Sequence, residues 1–182
     1  MEFETLQTDR LFLKKLTPEI LAHLFQHYKE AEIMAMLGLR NQEEFIREKA
    51  KSQGGYTTYD RTMVAFLLVL KSSNETIGRC GFHNWYAQHS RAELGYALTK
   101  AEFKRMGYMR EAVQAVLQYG FEVMGLNRIE AFIGPNNIAS KSIVTKYGFT
   151  QEGHLRQHYA VDGAFEDSIV YSLLKQEFAA KQ

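Results

Sequence analysis

The sequence predicts an α+β fold of three layers, with helices on both faces of a mostly antiparallel mixed sheet of about seven strands. Three observations lead there. The elements read strand, two helices, three strands, helix, strand, helix, two strands. In the middle, Ala112, Val113, Val116, Leu117, Gly120, Phe121 and Met124 recur at three- and four-residue intervals, one face of an amphipathic helix. At the end, Phe149 to Tyr159 and Phe165 to Leu174 alternate around Val161-Asp162-Gly163, which reads as a hairpin.

Each element has a local cause. Leu11 to Leu16 is a first strand. Thr17 caps the helix that follows and Pro18 takes its first position, where a missing N–H costs nothing. Leu21, Leu24, Phe25 and Tyr28 give it an apolar face. Ile33 to Leu39 is apolar and rich in methionine. It reads either as packing surface or as the pliable wall of an acceptor pocket, with Met34 as its candidate contact. A second helix is expected over Asn41 to Ser52, ended by Gly54-Gly55. Met63 to Leu70 is nearly all apolar, as for a strand covered on both faces. Thr76 to His83 is a strand with Gly78 and Gly81 inside it, and glycines there mark a bulge or a close backbone approach. Arg91 to Leu98 and Asn127 to Ile133 are strands. Between the second of these and the hairpin, a helix runs from Asn137 or Ile138 to Tyr147 and closes on Gly148.

The bulk properties narrow the function classes. The chain has 182 residues, 46% apolar and 24% charged, with a formal net charge of +1. That length and the absence of a linker or repeat predict a single domain over 1–182. Near-zero net charge does not suggest a nucleic-acid partner. The apolar runs are too short to span a bilayer, and Met1 to Leu16 lacks the apolar segment of a signal peptide, so a cytoplasmic protein is expected. One cysteine, Cys80, cannot form an internal disulfide and reads as a buried thiol. The six histidines are scattered, with no metal-ligand spacing, and no metal is expected.

The stretch most suggestive of chemistry is Lys104-Arg105-Met106-Gly107-Tyr108-Met109-Arg110, a basic loop that opens the central helix. Unpaired helix-start N–H groups, the positive end of the helix dipole and cationic side chains together make a seat for a phosphate. Lys104-x-x-Gly107-x-Met109 resembles the pyrophosphate-binding signature of the GCN5-related N-acetyltransferases (GNAT), Gln/Arg-x-x-Gly-x-Gly/Ala. Lys104 and Met109 depart from its first and last positions. The run Gly107 to Ala112 is similar to that of the RimJ/RimL branch, which acetylates N-terminal amines of ribosomal proteins. Asn137-x-x-Ser140, Gly148-Phe149 and Glu152-Gly153 resemble the same branch, and the element order matches the family fold from about Asp9 to Leu174.

The resemblance implies acetyl-CoA as cosubstrate and two central strands that splay apart, here Arg91–Leu98 and Arg128–Ile133, to admit its pantetheine arm. It implies that Tyr96, Ala97, Leu98 and Thr99 bind that arm, with an oxyanion-stabilising N–H around Ala97–Thr99 where the family's strand bulges. Asn137 and Ser140 would touch it from the helix start. Acetyl transfer needs a proton acceptor for the amine and a proton for the departing thiolate. Strand alternation puts Glu93 on a face with Gly95 and Ala97, leaving room for a ligand. Glu93 is the candidate base, or else a strand-end carboxylate paired with Arg91 or Arg128. The family's usual acid, a tyrosine, is replaced here by Val144. Ser140 is the candidate acid, or else a hydroxyl bonding its own backbone. His83, Trp85, Tyr86, His158 and Tyr159 are acceptor-side candidates. His158 or Tyr159 could also serve as base or help protonate the thiolate.

The expected activity is acetylation of a primary amine, foremost the N-terminal α-amine of a protein such as a ribosomal protein. Two alternatives stand beside it. One is a small-molecule amine such as a polyamine, amino acid or antibiotic, with Glu43, Glu44 and Glu48 as an acidic pocket. The other is a non-catalytic module that binds acyl-CoA. A homodimer is left open.

Overall fold

A computed structural model describes residues 3–54, 61–161 and 163–180. Two expected turn positions, Gly55 and Asp162, lie outside the described residues. The elements in order are β1 (Thr5–Gln7), β2 (Leu11–Leu16), α1 (Pro18–His27), α2 (Glu30–Leu37), α3 (Gln42–Gly54), β3 (Thr62–Leu70), β4 (Thr76–Tyr86) and β5 (Arg91–Leu98). They continue with α4 (Tyr108–Gln118), β6 (Arg128–Ile133), α5 (Ile138–Tyr147), β7 (Thr150–Val161), β8 (Ala164–Leu174) and α6 (Lys175–Ala179).

The strands form one sheet in the order β1-β2-β3-β4-β5-β6-β8-β7. Neighbours are antiparallel except β5 and β6, which run parallel because α4 carries the chain back between them. The first three helices pack Leu21, Leu24, Ile33, Leu37 and Phe45 against Leu16, Leu67 and Val69. The other face is covered by α4, α5 and α6, through Val113, Val116, Leu117, Val144 and Phe178. The three-layer expectation therefore holds.

Local chemistry explains the boundaries. The Thr17 hydroxyl accepts from the Ile20 amide, and Pro18 opens α1. The Asn137 side chain accepts from the Ser140 amide at 3.0 Å, and Gly148 ends α5 in the left-handed region. Central helix α4 differs: it has no side-chain cap at its start. Its hold on the fold comes from burial instead. Val113, Val116 and Leu117 are fully buried, each worth about 1.5–3 kcal/mol. Past Gln118 it widens into one π turn, Tyr119–Val123.

Three elements go beyond expectation. Strand β1 is only three residues long, too short to show alternation, and is held by pairing Thr5↔Lys14 through Gln7↔Phe12. Helix α2 occupies the apolar Met-rich stretch; Glu32 bonds the Lys29 amide at its start and left-handed Gly38 ends it. Helix α6 is a single short turn closing the chain on Phe178. Among the described residues the sheet thus has eight strands where about seven were expected.

Candidate functional site

Strands β5 and β6 pair only over Arg91↔Arg128, Ala92↔Ile129 and Glu93↔Glu130, then part. Ion pairs fasten the base of this fork. Glu130 takes both Arg91 (2.9 Å) and Arg128 (2.9 Å), and Arg128 also grips Glu152 on β7. Those hydrogen bonds hold the Glu152 carboxyl down at about 2. Neither arginine goes to Glu93, so the strand-end pairing considered for that carboxylate is not the one formed.

Beyond the fork, β5 stays paired with β4 from His83↔Glu93 to Gly78↔Leu98 without interruption. The bulge expected around Ala97–Thr99 is absent, and the Thr99 amide is already committed to the Ile77 carbonyl at 2.9 Å. On the other edge, the Ser90 carbonyl accepts from the Asn127 and Arg128 amides. Ladder alternation then turns the main-chain groups of odd-numbered residues toward β4 and those of even-numbered ones toward β6. The amides of Tyr96 and Leu98, beyond the last pair with β6, therefore face the gap; those of Ala97 and Thr99 do not.

The loop ahead of α4 supplies the second component. Arg105 and Gly107 both have left-handed backbones (φ 63° and 82°), which turns successive amides to one side. The first turn of α4 carries no cap that would consume them. Arg10, from the distant β2 edge, buttresses the loop. It donates to the Met106 carbonyl (2.9 Å) and to Glu111 (2.7 Å), and lies 4.5 Å over the Tyr108 ring. Thr8 adds a bond to Glu111. A cavity of about 500 Å³ separates this loop from α5, lined by Leu98, Arg105, Gly107, Tyr108, Met109 and Arg110 among others. Lys104 and Met106 are not in its lining; Met106 is 55% exposed. Arg110 spans the cavity to Ser142 at 3.2 Å. Uncapped amides beside two cations at a widened strand gap fit a pyrophosphate with a long thin arm.

The third component is a cavity of about 220 Å³ at the fork that gathers Glu93, Ser140, Asn137, Tyr96, His83 and Tyr159. Glu93 is only 6% exposed. His83 Nε2 lies 2.9 Å from its Oε1, Asn84 Nδ2 donates to Oε2 at 2.9 Å, and the Tyr159 hydroxyl donates to Oε1 at 3.4 Å. Burial alone would raise the carboxyl, but the bonds from His83, Asn84 and Tyr159 outweigh it and hold Glu93 below the usual range. Tyr159 is pushed up by burial and by Glu93, so it stays a proton donor at neutral pH. Tyr96 reaches across to the Ser140 carbonyl at 3.5 Å. Among the described residues the Ser140 hydroxyl makes no hydrogen bond, so the self-bonded alternative does not apply.

The room expected beside Gly95 is partly filled: a Cβ there would come within 2.8 Å of the His83 ring. Other acceptor-side candidates are not drawn together. Met34 packs on the α1–α3 core and Trp85 on the α4 core. Tyr86 lies under Arg91 at 4.1 Å. His158 is exposed and stacks between Phe132 and Tyr159. Of the acidic-pocket candidates, Glu44 pairs with Arg40 and Glu48 with Arg79. Cys80 is fully buried and its thiol pushed up by burial, which makes it inert. Among the described residues no cluster could hold a metal ion.

Asn84, Arg10 and Glu111 went unrecognised in the sequence. Asn84 had a signal: it takes a left-handed backbone (φ 46°) where the β4–β5 register shifts, a place that favours asparagine. Arg10 and Glu111 lie 101 positions apart, and no local pattern links them.

The chain is similar to known acetyltransferases. Residues 10–150 match the acetyltransferase (GNAT) domain. The uncharacterized N-acetyltransferase YoaA of Bacillus subtilis is 33% identical over 174 residues, covering 95% of this chain and 98% of the relative. The ribosomal protein uS5-alanine N-acetyltransferase of Escherichia coli is 29% identical over 95 residues, 52% of this chain and 45% of the relative. The spermidine/spermine N-acetyltransferase SpeG of Vibrio cholerae superimposes with a TM-score of 0.70 at 17% identity, covering 96% and 99% of the two chains.

Proposed function

From the premise that the chain belongs to the acetyltransferase (GNAT) family, whose members use acetyl-CoA and an amine, we propose that it acetylates the N-terminal α-amine of a protein, with Glu93 as general base. The observation that carries this reading is the position of Glu93. It sits at the last β5–β6 pair, where the gap opens, and is held ionised by three donors. A carboxylate held low is a weak base. It suits an α-amine, whose reference pKa of about 7.7–8.0 leaves roughly a tenth neutral at pH 7; an alkyl amine near ~10.4 would be almost wholly protonated. The relative that acetylates ribosomal protein uS5 makes a ribosomal N-terminus a candidate acceptor.

Acetyl-CoA brings an activated acetyl group. The residues of the chain do the rest. The Tyr96 and Leu98 amides bond the arm as an added strand would. The loop amides with Arg105 and Arg110 hold the pyrophosphate, and Asn137 fixes the start of α5. Glu93 accepts the amine proton, while the Ser140 and Tyr159 hydroxyls are within the same cavity to donate to the departing sulfur. On this reading the chain is one catalytic unit working in the cytoplasm.

The small-amine alternative is weakened because Glu44 and Glu48, which a polycation would need, are already paired with arginines. Free-thiol release from acetyl-CoA tests the proposal against peptides with free N-termini, spermidine, spermine and lysine. Release with free-amine peptides and none with N-acetylated copies is expected. Release with polyamines alone, or binding of acetyl-CoA without release for any amine, would overturn it.

A further inference from the structure

The sheet face that carries Glu93 also carries a cation the chemistry above does not use. On this face β4 presents Arg79, Gly81 and His83, opposite Ala97, Gly95 and Glu93 of β5. An open trough of about 270 Å³ runs along it, with Met63 and Ala65 at its side. Its floor is low because the side chains are small. Gly81 could not be otherwise: a Cβ there would lie 2.3 Å from the Ala65 Cα. His83, against Glu93, closes one end and Arg79 the other, four strand residues or ~13 Å apart.

Arg79 and Ala97 also line a neighbouring cavity of about 310 Å³ beneath α2 and α3. Among the described residues its charged lining is Arg40, Arg47, Lys51 and Arg79 against Glu44 and Glu48, four cations to two carboxylates, an excess of two. Arg79 Nη1 donates to Glu48 at 2.6 Å, but among the described residues its Nη2 is buried with no hydrogen-bond partner. A buried donor left unmet is unfavourable, and a guanidinium with half of its fork unused is matched by a second carboxylate.

We propose that Arg79, backed by Arg47 and Lys51, is an anion-recognition subsite for the acceptor. The preferred acceptor is then a peptide N-terminus with Asp or Glu at about its third or fourth position. This rests on the acetyl-transfer reading, since it takes the reacting amine to sit at Glu93. An extended peptide advances ~3.3–3.6 Å per residue, so the ~13 Å trough spans three to four residues. Arg79 lines the trough and its side chain keeps 28% exposure, so the guanidinium is open to a ligand lying there. A free amino acid, with its carboxylate beside its amine, is too short to use both ends.

The test is thiol release with three matched peptides, carrying acidic, neutral or basic residues at positions three and four. The acidic peptide should be favoured over the neutral one by about tenfold in kcat/KM, mainly through KM, with the basic one poorest. The preference should shrink as salt is raised. Arg79→Met should bring the acidic-to-neutral ratio close to one, and Arg79→Lys should recover part of it. If Arg79→Met does not fold, the exposed double variant Arg47→Ser/Lys51→Ser should lower the same ratio. Equal use of all three peptides by the wild type, or a preference for the basic one, would overturn the subsite and leave α-amine acetylation standing. Turnover of spermidine with no peptide used would overturn both.

Discussion

The loop ahead of α4 and the face around Glu93 solve the problem of holding a ligand with opposite materials. The loop works with main-chain amides, exposed by two left-handed residues and by a helix that lacks a cap. The Glu93 face works with side chains: His83 and Asn84 from β4, and Tyr159 from 66 positions away. Main-chain sites are written in one short stretch and tolerate changes in the side chains around them. Side-chain sites need several distant elements to arrive together, and each member is individually exposed to substitution. On the proposed reading, the first kind would meet the invariant part of the reaction and the second whatever amine is to be acetylated.

That contrast predicts a ranking of effects. The largest belongs to Glu93→Gln, which should lower kcat by roughly 10²–10⁴-fold while the CoA-induced rise in Tm is kept. Loss of CoA binding with unchanged kcat would reverse the roles assigned to the two regions. The pH dependence sharpens this. The Glu93 pKa is lowered in the fold, so its ionised form is the stabilised one. That contribution to stability is complete above the ordinary carboxylate value and is lost as pH falls through the lowered one. Between pH 6 and 9 the wild-type kcat/KM should therefore rise with the neutral fraction of the amine. An inflection from Glu93 inside that window would contradict the geometry.

Gly107→Glu comes next. It places a carboxylate and an unfavourable left-handed backbone in the phosphate seat, and should abolish the CoA-induced Tm rise in differential scanning fluorimetry. A shift of wild-type size would show that the seat lies elsewhere. Arg10→Ala is the mildest. It removes the buttress and not the amides, so CoA affinity by calorimetry should weaken several-fold with kcat nearly unchanged; a complete loss would mean that Arg10 touches the ligand directly.

The two regions also differ in how far the sequence reveals them. Gly107, Arg105 and the amphipathic run of α4 stand in one window, so the loop and the helix it opens are legible there, while the Arg10 buttress is not. Asn137 and Gly148 announced α5 in the same way, through capping chemistry. Glu93 was legible by strand alternation and Ser140 by its spacing from Asn137. His83 and Tyr159 were legible as acceptor-side candidates but not as donors to Glu93, and Asn84 not at all, because tertiary placement decides which side chain arrives. Trp85, His158 and Met34 were acceptor-side candidates alongside His83 and Tyr159, yet they lie outside the Glu93 cavity. Lys104 departs from the first residue of the loop pattern, and it is not in the cavity lining. The departure at Met109 is resolved by burial: its side chain belongs largely to the core, 8% exposed. Strand β1 and helix α6 were missed because three and five residues are too few for a period to register.

The uncapped beginning of α4 reaches beyond catalysis. A ligand that binds only the native chain raises its stability by RT ln(1 + [L]/Kd), about 2.7 kcal/mol at a hundredfold excess over Kd. On the proposed reading, a helix left uncapped at its amino end would be completed from outside, by the nucleotide. The amount of enzyme that survives proteolysis would then track the supply of coenzyme A, free or acylated, that fills the seat.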